Sequence, residues 1–161
     1  MFLGNSTSAG TAMVGEELAV IQAMAAIMNH ESVKPFDFLY FESDFGARPH
    51  IASSMSNPDR TQFCGLSREE GLKLVNQLAQ INSDPVEIDK QVAKAAGLAI
   101  GHKRLERFRY LTLSRVVFAP DKQHAWLAAD LNGATGAIYR MDFVDGAWTK
   151  SERCGGWVRA E

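Results

Sequence analysis

After Glu16 and Glu17, an apolar run extends from Leu18 to Met28, interrupted only by Gln22. Acidic residues favour the positive end of a helix dipole, so the run predicts a helix over 16–28 that begins at the two glutamates. A helix apolar on nearly every side is buried over most of its circumference, which makes this one the centrepiece of the fold. Pro35 then introduces Phe36, Phe38, Leu39, Tyr40 and Phe41, an aromatic-rich segment with strand character. From Ser43 to Gly65 the periodicity disappears among Gly46, Pro49, Asn57, Pro58 and several serines. This predicts a long loop, with a brief strand near His50–Ser53.

Helical spacing returns at Ser67. Ser67-Arg68-Glu69-Glu70 spells a capping box, in which the hydroxyl and the carboxylate satisfy each other's free backbone N–H groups. Leu74, Val75, Leu78 and Ile81 supply its apolar stripe. A second helix is predicted from Asp84 as N-cap and Pro85 at the first helical position through Ala99, with Gly101 closing it. Beyond Arg107 the period becomes two. Tyr110–Phe118, His124–Leu131, Gly136–Val144 and Ala147–Arg153 are four strand segments, separated by the turn-formers Pro120-Asp121, Asn132-Gly133 and Asp145-Gly146. The expected architecture is α+β: an N-terminal buried helix plus a helix pair packed on one face of an antiparallel sheet that ends in a four-stranded meander. Residues 15–161 form one domain, and residues 1–14 a disordered N-terminal segment.

Composition narrows the functional classes. At 161 residues, with 46% hydrophobic and 22% charged side chains, the chain has enough apolar content for a core and is not a disordered polymer. A formal net charge of -2 supplies no long-range attraction for nucleic acid. The basic run His102-Lys103-Arg104 to Arg109, interrupted by Glu106, reads as a charged connector. No apolar run reaches the roughly 18 residues of a membrane span, so no membrane insertion is expected.

Reactive groups are scattered. His30, His50, His102 and His124 include no pair at the i, i+4 spacing of a helical metal site. No metal and no cofactor is expected. His50, in the long loop with Glu42 and Asp44 near it in sequence, is the best-placed general base, and His124 reads as exposed. Asp44-Phe45-Gly46 matches the kinase metal-binding tripeptide but lacks the other kinase motifs that would give it meaning. Trp126, Trp148 and Trp157 fall in the meander with Tyr139, either as core or as an aromatic contact face. Cys64 and Cys154 lie 90 positions apart; they either bridge, which implies an oxidising compartment, or remain two buried thiols. The small residues Ala9, Gly10 and Ala12 suit the end of a signal peptide.

Leu113–Phe118, Ala125-Trp126-Leu127-Ala128, Gly146-Ala147-Trp148 and Trp157 resemble the terminal hairpins of small exported bacterial α+β proteins of unknown function. A long buried helix before a curved antiparallel sheet is similar in layout to the cystatin-like and NTF2-like superfolds. The helices at 67–100 depart from that layout, and the catalytic Asp/His pair of NTF2-like isomerases has no counterpart. The resemblance implies a periplasmic or secreted protein, against a cytoplasmic alternative. The expectation is a non-catalytic binding protein, of the inhibitor or immunity kind, that engages a protein partner through Phe45, Arg48, His50, Trp126 and Tyr139. The alternative is an NTF2-like apolar pocket between helix and sheet, with Asp44 and His50 at its mouth. Self-association through the first helix is a third expectation.

Overall fold

A computed structural model describes residues 15–32, 34, 36, 38–41, 65–82, 99–100, 110–131 and 135–158. Helix α1 spans Gly15–Glu31 and α2 spans Arg68–Asn82; the strands are β1 (Phe38–Phe41), β2 (Ala99–Ile100), β3 (Tyr110–Leu113), β4 (Val117–Phe118), β5 (His124–Leu131), β6 (Thr135–Val144) and β7 (Ala147–Val158). The α+β class and the antiparallel meander stand as expected. The sheet order is β2-β1-β3-β5-β6-β7, with β4 beside β3 on the same edge of β5. β1 runs parallel to both β2 and β3, so the N-terminal strand is threaded into the sheet beside the meander. Among the described residues, no helix is long and apolar enough to cross a membrane.

Several boundaries move. Ala99 pairs with Phe38 in β2, so the predicted second helix cannot extend to that residue. The rest of that helix, the N-terminal segment, the long loop, the basic run and the Asn132-Gly133 turn lie outside the described residues. The predicted strand Tyr110–Phe118 divides in two. Leu113 pairs with Ala129, while Val117 pairs with Trp126, leaving three residues facing two. That extra residue is a β-bulge. Ser114 stitches it: its N–H donates to the Ala128 carbonyl at 2.9 Å, and its Oγ accepts from the Ala128 N–H at 2.8 Å. The Glu17 carboxylate, from the first turn of α1, accepts from the Val116 N–H at 3.0 Å and from Arg115 Nη2 at 3.0 Å. At its other end α1 reaches β7, where Glu31 meets Lys150.

The two described helices lie on opposite faces, not on one. Val20, Ile21, Met24, Ala25 and Met28 of α1 pack with Leu111, Leu113, Leu127, Ala129 and Met141. Leu74, Val75 and Leu78 of α2 pack instead with Ala128, Ile138 and Cys154. Neighbouring strand residues point to opposite sides, so Leu127 and Ala128 serve different cores. Residues 127–130 of β5 are all buried, the pattern of a strand covered on both faces. The capping box opens α2 as expected: Glu70 N–H donates to Ser67 Oγ and Ser67 N–H to Glu70 Oε1, both at 3.1 Å. Those Ser67 hydrogen bonds lower the Glu70 carboxyl pKa.

Among the described strands, β7 is outermost on one side of the sheet. Its pairing with β6 shifts register twice, between Arg140 and Met141 and between Ala137 and Tyr139. The first shift leaves Ser151 as an extra residue, since Arg140 faces Glu152 while Met141 faces Lys150.

Candidate functional site

The β4–β5 turn and the β6–β7 hairpin meet at one end of the sheet. Asp145 (φ 51°) and Gly146 (φ 81°) both have positive φ, the type I′ geometry that closes a two-residue hairpin between Val144 and Ala147. In the other turn, Asp121 Oδ1 accepts from the Gln123 N–H at 2.9 Å, and Lys122 takes a left-handed conformation (φ 60°). Phe143 N–H donates to the Gln123 carbonyl at 2.8 Å and joins the two turns.

On the α1 side this end is aromatic. The Phe143 and Trp148 ring centres are 5.3 Å apart, and Trp148 meets Phe118 edge-on at 6.0 Å. Lys122 Nζ lies 4.9 Å from the centre of the Phe118 ring. Phe118 and Trp148 are partly buried against the α1 core. Phe143 and Val144 are 39% and 49% exposed, the two large apolar residues open to solvent among those described.

The opposite side is polar. His124 Nδ1 lies 2.7 Å from Asp142 Oδ1, and the carboxylate, which only accepts, makes that nitrogen the proton carrier. Arg140 forks the same carboxylate, Nε to Oδ1 at 3.1 Å and Nη2 to Oδ2 at 3.2 Å, and also donates to Ser151 Oγ at 3.0 Å. Partial burial alone would raise the Asp142 pKa. The hydrogen bonds from His124, Ser151 and Arg140, with the Arg140 charge, outweigh it and hold the carboxyl below its usual value. A lowered native pKa stabilises the fold above the unfolded value of about 4 and loses that contribution as pH falls through the native value. Asp142→Asn should therefore flatten the acid limb of stability below about pH 4, leaving the Glu70 component, which has the same sign. Urea midpoints of both proteins between about pH 6 and 2 will show it; parallel curves would mean that Asp142 carries no such linkage.

This imidazole–carboxylate pair was not expected from the sequence. His124 is part of a network instead of standing alone, and the register that creates it depends on loop length. The pairs from His124–Asp142 to Leu131–Thr135 require a three-residue connection at 132–134. A two-residue turn at Asn132-Gly133 would have set His124 opposite a different residue. Within the pair it is the carboxylate that is fully engaged, while His124 keeps a partly exposed ring. Arg140 holds both Asp142 oxygens, and among the described residues His124 Nε2 faces the Asp121 carboxylate at 3.8 Å, where a nucleophilic dyad would present a hydroxyl or thiol. Among the described residues no cluster of three His, Cys, Asp or Glu could hold a metal ion.

Trp126 and Tyr139 do not form one contact face. Leu127, not Trp126, is the register partner of Tyr139. Trp126 packs partly buried beside the α2 core, and Tyr139 lies on the α1 side with Lys150 Nζ 5.3 Å from its ring centre. Alternation along the strands separates them. Asp44, Phe45, Arg48 and His50 lie outside the described residues. Cys154 is disulfide-bonded. The chain's one other cysteine is Cys64, also outside the described residues. Thr112 and Asp130, register partners on β3 and β5, are both buried, which the pattern did not flag.

No family model, curated protein or solved structure matches the chain.

Proposed function

We propose that the chain is a non-catalytic binding protein, of the inhibitor or immunity kind, that engages a protein partner through this end of the sheet. Phe45, Arg48 and His50 of segment 43–65 supply a second contact. The observation carrying the proposal is the solvent-open Phe143 beside a tight hairpin, packed against Trp148, which in turn meets Phe118, with the exposed Val144 next to it in the chain. Rigid aromatic anchors lose little entropy on binding and dominate interface energetics. The His124–Asp142–Arg140 cluster also supports it, because both oxygens of its carboxylate are already held by His124 and Arg140. The rival NTF2-like pocket would lie between α1 and the sheet. Ile21, Met24, Leu127 and Met141 are each 0% exposed there, which favours the binder. The Cys154 disulfide supports export, since disulfides persist in oxidising compartments.

The tagged chain is expected to recover one stoichiometric protein from its native source, and Phe143→Asp/Val144→Asp to lose at least about tenfold in affinity for it. Equal recovery by both chains, or recovery of no stoichiometric protein, would overturn the proposal.

A further inference from the structure

We propose that two copies of this chain associate weakly about a two-fold axis through the aromatic strip at the end of the sheet. This rests on the strip's own chemistry and not on the partner proposed above. The strip runs from Lys122 over Phe118, through Trp148, to Phe143 and the Asp145 turn. It therefore begins with a cation and ends with a carboxylate. A two-fold contact presents the same patch from both copies in opposite directions. Turned about Trp148, the strip sets Lys122 beside the partner's Asp145, and Phe118 beside the partner's Phe143. The charges then attract twice, whereas a same-direction overlay opposes like charges.

Lys122 can make this exchange at little cost. Its present partner, Glu16 Oε2, is 4.0 Å away, and the two side chains are 56% and 66% exposed. Ion pairs so open to water contribute little. The patch is small: three apolar side chains, two of them partly buried, cover less than the roughly 800 Å² per partner of a stable interface. The dimer is accordingly weak, with a dissociation constant on the order of 0.1–1 mM.

Sedimentation equilibrium of the purified full chain from about 10 µM to about 1 mM tests this range. The expected mass rises from 17.7 kDa towards twice that value as concentration increases. Asp145→Asn, which keeps a residue tolerant of positive φ, should weaken association severalfold, and Phe143→Asp should abolish it. Circular dichroism checks that each variant folds. Should Phe143→Asp unfold, zero-length carbodiimide coupling of mixed isotope-labelled and unlabelled chains decides the matter. The expected product is a Lys122–Asp145 link between a labelled and an unlabelled chain. A monomer throughout, association indifferent to Asp145→Asn, or links confined within single chains would overturn the proposal. Because only this chain is present, failure here leaves the partner-binding reading intact, and failure to recover a partner leaves the dimer intact.

Discussion

Cys154→Ser should lower the unfolding free energy by about 4.6 kcal/mol, the value the chain-entropy model gives for a closed loop on the order of 90 residues. The spacing of 90 positions between Cys154 and the only other cysteine sets that loop. The effect has a second source. Cys154 is 4% exposed and packs with Leu74, Val75 and Leu78, so the bridge ends inside the α2 core. Urea unfolding with and without a reductant should reproduce the serine variant's loss, and thiol titration of the denatured, unreduced protein should find no free thiol. One reactive thiol per chain or more, or a loss below about 1 kcal/mol, would remove the bridge from the account of stability.

The second large effect separates the two cores. Leu127→Ala empties a fully buried site against α1, and Leu78→Ala does the same on the α2 side. Each should cost about 2–5 kcal/mol, the usual range for cavities left by leucine truncation. With the sheet between them and no residue common to the two described clusters, the losses should add to within about 0.5 kcal/mol in the double variant. Denaturant midpoints at constant slope will measure this. A coupling above about 1 kcal/mol would mean that the two clusters are one packing unit, contrary to the two-sided arrangement.

Much of this arrangement was legible from residue order. The Glu16-Glu17 start of α1, the Ser67–Glu70 box and the Asp145-Gly146 turn are local devices, and each is where the pattern put it. What escaped was non-local. The apolar run Ala125-Trp126-Leu127-Ala128-Ala129 already implied burial on both sides of β5, yet the alternation of β6 suggested one wet face and hid the second helix layer. The parallel seat of β1 depends on partners 60 and more positions away, which no local period encodes. The bulge at Ser114 needed knowledge of Glu17, almost 100 residues earlier. At the candidate site, aromatic content was visible, but its division between faces followed from register. Trp126 and Tyr139 were grouped because they are neighbours in composition; the pleat parts them. The exposure of Phe143 and Val144 is not legible in the sequence, because an apolar Phe-Val at a strand end has the composition of core.

The interruptions in β7 also govern what the molecule can tolerate at high concentration. A long, straight outer strand is a template on which further chains stack into fibrils. Here the extra residue at Ser151 and the positive φ of Gly155 (124°) break the even spacing of amide groups that such growth copies. Lys150, Glu152 and Arg153 place charge along the same stretch. The outer rim can therefore stay open to water without recruiting neighbours into an amyloid ladder.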